Sequence, residues 1–122
     1  MRTLTDHKLN GLNDLLVITV MDEPGQGGAC HEYEIRLPAT DGTNKTWPIS
    51  FQNGPVKEAG FNGLSQECLL AIVIDRLRSF QSGQYACREN ALALTDCESA
   101  LMWLQKRTRD RLARGVEGTN TK

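Results

Sequence analysis

The 122-residue sequence has few of the residues that build catalytic or metal centres. It holds two histidines, His7 and His31, and neither stands in a recognisable motif. It contains no GxSxG, HExxH, P-loop or GxGxxG pattern, the local signatures of hydrolases, zinc proteases and nucleotide-binding loops. These absences argue against catalysis. We therefore expect no enzyme and no cofactor.

The four cysteines do not follow a metal or disulfide pattern. Cys30, Cys68, Cys87 and Cys97 stand 38, 19 and 10 residues apart, which matches neither paired CxxC zinc ligands nor a dense disulfide framework. We expect no metal site. We expect the last three to lie in helices as small apolar residues, and Cys30 to be the more exposed thiol.

Charge and hydropathy exclude two further classes of protein. The 14 Lys and Arg against 15 Asp and Glu give a net charge of −1, so the chain has no general attraction to nucleic acid or to an anionic membrane. No apolar run approaches the ~20 residues that span a bilayer. No apolar segment follows the charged start, which predicts no secretory signal and a cytoplasmic location. The length predicts one domain over residues 1–122.

The first half of the sequence predicts a small antiparallel β-meander over residues 14–52. A β-branched run over 15–21 predicts one strand, and alternating apolar and charged residues over 29–37 predict a second. The glycine-rich segment 25–28 precedes a strand, so we expect a hairpin loop and not a phosphate-binding loop. A third alternation, with apolar residues at Trp47, Ile49 and Phe51, predicts a third strand.

From Ser65 onward, the spacing of the apolar residues changes from that of a strand to that of a helix, which predicts a helical hairpin. Ser65 is suited to cap the N-terminus of a helix over 65–82. A second helix is expected over 84–114, since this stretch has no Gly or Pro, and a short tail follows over 115–122. The expected fold class is α+β, with a small N-terminal antiparallel sheet followed by a long two-helix hairpin.

The second helix is long for a chain of this size. Thirty-one residues reach about 45 Å, whereas a compact domain of 122 residues has a radius of gyration of about 14 Å. Its apolar residues cover more than one face. We infer an oligomer built on helical hairpins, with a kinked helix in a lone domain as the alternative.

The end of that helix, residues 106–114, is the most basic stretch. Five Lys and Arg less one Asp give +4 in nine residues. Arg107, Arg111 and Arg114 follow i, i+4, i+7 spacing and should share one face. The excess of Arg over Lys favours a phosphate-bearing ligand, because guanidinium binds phosphate through two parallel hydrogen bonds. The alternative is that these cations only complement the helix dipole.

Aromatic and amide side chains cluster at the other end of the hairpin. Phe80 and Tyr85 flank the turn, with Arg88 and Asn90 just inside the second helix. They could supply a stacking face and an amide for a base. Asn90 lies 17 residues before Arg107, about 25 Å along a helix, so a neighbouring antiparallel copy would be needed to join both groups in one pocket. The alternatives are core packing for Phe80 and a plain surface position for Asn90.

The sequence resembles a known family. The segments that carry the likeness lie between about Asp14 and Thr119, and are 51–55, 62–63, 69–77, 86–91, 107–109 and 114–119. They are similar to the phage anti-Thoeris sponge family, which shares a helical-hairpin domain with anti-CBASS cyclic-oligonucleotide sponges. The resemblance implies a β-rich part followed by a two-helix hairpin, and assembly into homo-oligomers, commonly hexamers.

The resemblance also implies a function without turnover. Such proteins bind cyclic ADP-ribose isomers made by bacterial immune enzymes, in particular glycocyclic ADP-ribose, and sequester them intact in the host cytoplasm so that the Thoeris effector stays inactive. It further implies binding of cyclic di- or trinucleotides at separate sites of the oligomer. The implied ligand-binding residues are Phe80 for adenine stacking, Asn90 for a polar contact, Arg107 and Arg111 for the pyrophosphate, and additionally Arg88, Arg109, Arg114 and Thr119.

Two other functions remain as alternatives. One is a nucleic-acid-binding module that uses the Arg-rich helix end, and its affinity would fall steeply with salt. The other is a structural assembly module in which the arginines only complement the helix end.

Overall fold

A computed structural model describes all residues, 1–122. The order of elements is β1 (Arg2–Leu4), α1 (Gly11–Leu15), β2 (Val17–Val20), β3 (Glu32–Leu37), β4 (Lys45–Ser50), α2 (Val56–Ala59), α3 (Gln66–Gln81) and α4 (Arg88–Arg114), with a 3₁₀ turn at Gln26–Gly28. This confirms the predicted α+β class, with a sheet followed by a helical hairpin. No helix combines the length and apolar character that crossing a bilayer requires.

The chain forms two compact units. One contains residues 1–54 and 59–64, and the other contains residues 55–58 and 65–122. The first holds the sheet and the second holds the hairpin. The expected single domain over 1–122 stays a prediction.

The sheet is a four-stranded antiparallel meander in the order β1-β2-β3-β4. Its register places apolar residues in one row, with Leu4 opposite Ile18, Ile18 opposite Ile35, and Ile35 opposite Trp47. Directly opposed residues share a face, so this row forms part of an apolar side of the sheet. Val20, in the adjacent row, is fully buried.

The first strand lies outside the residues 14–52 over which the sequence predicts the meander. Arg2–Leu4 pairs with β2. His7 is also held, because its Nε2 donates to the carbonyl oxygen of Leu16 at 2.8 Å. A strand of three residues is too short to show an alternation of apolar and polar residues, so it is recognised only by its pairing with β2.

The end of the sheet unit contains a close approach between two backbones. Phe51 and Leu64 form a parallel bridge, in which the Gln52 amide donates to the Leu64 carbonyl at 2.8 Å. A Cβ on Gly63 would lie 2.5 Å from the carbonyl carbon of Phe51. Only glycine fits this crossing. The Phe51 ring also packs edge-on against Tyr33, with the ring centroids 5.6 Å apart.

The two long helices pack as a hairpin. Ser65 caps α3 as predicted, since its Oγ accepts a hydrogen bond from the Cys68 amide at 3.1 Å. Ile74 is the buried apolar residue between the helices, and Arg78 forms an ion pair with Glu98 at 2.8 Å. The connection between α3 and α4 therefore brings their facing sides together along the hairpin.

The second helix begins four residues later than expected, at Arg88 rather than at residue 84. Residues 82–86 form the turn, and Cys87 is the N-cap, its Sγ accepting from the Asn90 amide at 3.4 Å. Cys87 is exposed, and Cys30 is half-buried, which corrects the expected roles of these two thiols. The end of α4 is as predicted, with Gly115 in the left-handed conformation at φ 74°.

The turn between β2 and β3 depends on the Asp22 carboxylate. The His31 amide donates to its two oxygens at 3.0 and 3.2 Å, and the Glu32 amide donates at 3.1 Å. These hydrogen bonds, the one from His31 foremost, hold the pKa of Asp22 below its ordinary value. The ionised carboxylate is therefore favoured in the folded turn.

We expect Asp22→Asn to lower the stability of the protein near neutral pH and to have little effect in acid. A pKa that is lower in the folded than in the unfolded state stabilises the fold above the unfolded pKa, and this stability is lost as the pH falls through the folded pKa. Urea unfolding at about pH 7 and at about pH 3 measures the difference, which should shrink below the ordinary aspartate pKa of about 3.9. Asp6→Asn is the control, since Asp6 makes no such amide contacts. A pH-independent difference would contradict this role for Asp22.

Candidate anion-binding site

The basic end of α4 borders a groove of about 350 Å³ within the helical unit. The side chains that line it come from α4 and the C-terminal segment, and are Trp103, Lys106, Arg107, Asp110, Arg111, Arg114 and Lys122. The i, i+4, i+7 spacing of the arginines thus brings all three to one groove, as the sequence predicts.

The positive charge of the groove is only partly neutralised. Lys106 is paired with Asp110 at 2.7 Å, and Arg111 with Glu117 at 2.9 Å. The guanidiniums of Arg107 and Arg114 make no hydrogen bond or ion pair within the chain, and neither does the ammonium of Lys122. The groove therefore presents three uncompensated cations, which favours a polyanionic ligand.

Arg111 has a different environment from its two neighbours. It is 7% exposed. Its Nε donates to Glu117, its Nη2 donates to the carbonyls of Val116 at 2.9 Å and Thr119 at 3.1 Å, and its Nη1 donates to the carbonyl of Thr121. All three nitrogens are occupied by the chain's own C-terminal segment. In this conformation four of the five N–H groups of Arg111 are engaged within the chain, which leaves a single N–H of Nη1 for a ligand.

Thr119 belongs to the same segment and also faces inward. Its carbonyl accepts from Arg111, and its hydroxyl donates to the carbonyl of Val116. Arg109 lies elsewhere, in a second depression of about 320 Å³ that it shares with Glu67, Gln105 and Thr108. The structure therefore does not bring Arg109 or the Thr119 side chain to the groove that holds Arg107.

The turn of the hairpin carries an aromatic cluster. Phe80 and Tyr85 meet edge to face, with their centroids 6.4 Å apart and their planes at 89°. The guanidinium of Arg76 lies 5.6 Å from the centre of the Phe80 ring. Phe80 remains 38% exposed, so it is not the ordinary core residue of the alternative interpretation. An exposed ring next to a cation can stack with a nucleobase.

The polar residues near this cluster differ in how firmly they are held. The Nδ2 of Asn90 donates to the carbonyl of Tyr85 at 3.4 Å, and its backbone N–H donates to the Sγ of Cys87, the N-cap of α4. Its Oδ1 has no partner. Arg88 is exposed and unpaired. The hairpin turn therefore offers one amide oxygen and one free guanidinium beside the Phe80 ring.

The hairpin turn and the groove lie at opposite ends of α4. The helix runs unbroken over its 27 residues, so Asn90 and Arg107 are about 25 Å apart along it. One chain therefore does not bring its aromatic cluster and its free arginines together.

Sequence reasoning missed two residues of the groove. Trp103 is 62% exposed and lies beside the arginines, where it adds an aromatic face within the same chain. Trp103 stands four residues before Arg107, and this spacing could have predicted that both side chains lie on the same face of α4. Lys122 is brought to the groove by the folded C-terminal segment, and no local pattern indicates this.

No set of three or more His, Cys, Asp or Glu side chains is arranged to hold a metal ion. His31 is buried, but its Nε2 lies 3.0 Å from the carbonyl oxygen of Gln26, and its backbone is held by Asp22. Both contacts belong to the turn between β2 and β3. They give His31 a structural role.

Comparison with known proteins identifies the family. A family model described as "Acb2/Tad1, hairpin domain" matches residues 48–109, half of the chain. The chain is also 48% identical over 98 residues to a protein named "Thoeris anti-defense 1" from Bacillus phage SBSphiJ7. That alignment covers 80% of this chain and 66% of the relative. The matched residues include the hairpin turn and most of α4, and the chain belongs to the Acb2/Tad1 hairpin domain family.

Proposed function

We propose that this chain is a phage anti-defence protein that binds glycocyclic ADP-ribose and sequesters it without cleavage in the cytoplasm of the infected host. The observation that carries the proposal is the pair of unpaired guanidiniums, Arg107 and Arg114, in one groove beside an exposed tryptophan. The similarity to an anti-Thoeris protein supports the class of ligand.

The chemistry of the groove fits the pyrophosphate of such a ligand. A pyrophosphate carries two negative charges, and each of the two guanidiniums can bind a phosphate through paired N–H donors. Lys122 adds a third cation. Inhibition by sequestration needs only tight binding and enough copies of the protein, and a Kd of about 1 nM corresponds to about −12.3 kcal/mol. No catalytic group is required.

The adenine is proposed to stack on Phe80 of a second copy. Asn90 lies about 25 Å from Arg107 along α4, and Phe80 lies near the end of α3 at the same turn as Asn90. Two antiparallel copies are therefore needed to complete the pocket. Phe80 then provides the stacking face, and Asn90 and Arg88 provide polar contacts at its rim. Cyclic di- or trinucleotides are proposed to bind at separate sites of the assembly, where Arg109 is a candidate cation.

Surface area supports assembly with further copies. The chain exposes 8889 Å². A compact protein of this mass would expose about 6,600 Å², and two separate units of half the mass about 7,900 Å² together. The surplus of about 1,000 Å² is comparable with the ~800 Å² that one partner buries in a standard interface.

Exposed apolar residues on the hairpin provide the surface for that assembly. They occur on both long helices and are Ile72, Val73, Leu92, Met102, Trp103 and Leu112. Exposed apolar side chains in this number on one helical hairpin favour an interaction surface. We propose that a second copy of this chain covers it, and that a hexamer is the complete assembly.

Arg107→Ala should abolish retention of the ligand without changing the mass of the assembly. Loss of a charge-assisted phosphate contact of about 1.5–3 kcal/mol corresponds to about 10- to 150-fold weaker binding. The protein is mixed with glycocyclic ADP-ribose, freed of unbound ligand and heat-denatured, and the supernatant is examined by mass spectrometry. Arg2→Ala, on the edge strand, is the matched control.

The same measurement distinguishes the functions. Intact ligand released from the wild-type protein supports sequestration. Fragments of the ligand would indicate an enzyme, and no ligand would contradict the proposal. Undiminished retention by Arg107→Ala would show that the ligand binds elsewhere.

Phe80→Ala should weaken ligand binding by about 5- to 150-fold, because stacking of a base on an aromatic side chain contributes about 1–3 kcal/mol. Isothermal titration calorimetry with glycocyclic ADP-ribose measures the change. Phe61→Ala is the control, since Phe61 is 90% exposed but lies in the sheet unit. Equal affinities of the Phe80 variant and the wild type would exclude stacking on this ring.

Ile72→Glu should dissociate the assembly and abolish ligand retention, because it places a charge on the apolar face of α3. Multi-angle light scattering should give a multiple of 13.6 kDa for the wild type and a smaller mass for the variant. Thr95→Glu, at an exposed polar position of α4, is the control. A monomeric wild-type protein that still retains the ligand would contradict the shared pocket.

A further inference from the structure

The C-terminal segment, residues 115–122, folds back onto the end of α4. Gly115 leaves the helix in the left-handed conformation, and the Val116 amide donates to the carbonyl of Arg111 at 3.1 Å. The Thr119 amide donates to the carbonyl of Val116 at 3.2 Å, and the carbonyl of Gly118 accepts from the Lys57 amide at 3.1 Å. The segment is therefore held both to itself and to the start of α2.

A single buried guanidinium joins this segment to α4. Arg111 donates to one carboxylate, that of Glu117, and to three backbone carbonyls of the C-terminal segment. Removing a guanidinium from water is costly unless its donors are satisfied, and here all three of its nitrogens donate. Lysine could not replace it, since an ammonium on one nitrogen cannot reach four acceptors spread along the segment.

The far end of the same segment reaches the groove. Lys122 lines it together with Arg107 and Arg114. The contacts of Arg111 extend along the segment to Thr121, the residue before Lys122. The position of Lys122 in the groove therefore depends on Arg111. The family model ends at residue 109, so neither Arg111 nor the segment lies within the residues it matches.

We propose that Arg111 is a positioning residue that makes the C-terminal segment a wall of the anion groove and holds Lys122 there as a third cation for a diphosphate group. Arg111 does not touch the ligand. The inference rests on the proposed use of the groove for phosphate, and it changes the role that spacing along α4 suggests for Arg111.

Complementing the helix dipole does not account for these contacts. A cation that served only this purpose would face the last carbonyls of its own helix and could remain in solvent. Arg111 instead is buried, and the hydrogen-bond acceptors of its guanidinium all lie beyond the end of the helix, between Val116 and Thr121. Arg114, which remains exposed in the last turn, suffices for the dipole.

The experiment compares two ways of releasing the segment. Arg111→Met removes the guanidinium but keeps the apolar stem. Gly118→Val disturbs the segment without removing any charge, because Gly118 has φ 80° and a Cβ there would lie 3.2 Å from the Lys57 side chain. Gly42→Val, at φ 85° in the sheet unit, is the control for a strained glycine. The probe is inorganic pyrophosphate, titrated calorimetrically into the full-length protein and each variant.

We expect Arg111→Met and Gly118→Val each to weaken pyrophosphate binding by about tenfold, the loss of one screened charge contact. The double variant should be no weaker than either single variant, since both act through the same segment. Hydrogen exchange followed by mass spectrometry should show loss of amide protection over residues 115–122 in both. Arg107→Ala combined with Gly118→Val should instead give additive losses, because Arg107 does not depend on the segment.

Three results would overturn the inference. The first is a multiplied loss in the Arg111 and Gly118 double variant, as expected if Arg111 touched the anion. The second is unchanged amide protection in Arg111→Met, and the third is no pyrophosphate binding by the wild type. If Arg111→Met does not give the helical circular dichroism of the wild type, Glu117→Gln takes its place, because it removes only the carboxylate. Glu117→Gln should also weaken pyrophosphate binding and lower amide protection over residues 115–122, by a smaller amount.

These outcomes are separable from those of the proposed function. A wild type that binds pyrophosphate with the expected pattern but does not retain glycocyclic ADP-ribose supports the role of Arg111 and contradicts the sponge. Retention of glycocyclic ADP-ribose with full affinity in Arg111→Met supports the sponge and contradicts the role of Arg111.

Discussion

Few apolar side chains of the chain are fully removed from water, and this constraint shapes the rest of the structure. Val20 in the sheet unit and Ile74 in the helical unit are its buried aliphatic residues. Burial of one aliphatic side chain contributes about 1.5–3 kcal/mol, which is small against the conformational entropy of either unit. Much of the packing in each unit therefore comes from half-buried apolar side chains, such as Ile18 and Ile35 in the sheet and Leu77 and Leu101 in the hairpin. The proposed assembly would in addition cover the apolar residues that remain exposed on α3 and α4.

Arg107 and Arg111 show how one spacing can lead to two chemical roles. Both lie on the same face of α4 and line the same groove. Arg107 has no partner, whereas Arg111 is surrounded by Glu117 and by backbone carbonyls. The difference arises beyond the end of the helix, where Gly115 reverses the chain and turns acceptors toward one guanidinium only. A free arginine and an arginine held by the chain are thus distinguished by the acceptors around them and not by periodicity.

Sequence patterns predicted the elements whose signals are local. The Ser65 cap and the Gly115 end of α4 follow from side-chain and backbone preferences within one turn, and the strands with alternating residues were found. Short elements that depend on a distant partner were not, as β1 and α1 illustrate. For the site, helical spacing placed the arginines correctly. It could not reveal that Arg111 is buried or that Lys122 reaches the groove, since both depend on the fold of the C-terminal segment.

The crossing of Gly63 over Phe51 limits how this protein can vary. Even a methyl group at position 63 would overlap a peptide unit that is itself fixed by the bridge from Phe51 to Leu64 and by the contact of Phe51 with Tyr33. Backbone atoms cannot rotate aside as a flexible side chain can. Position 63, on the path from the last strand to the first long helix, therefore accepts glycine alone, and any variation in this connection must preserve that residue.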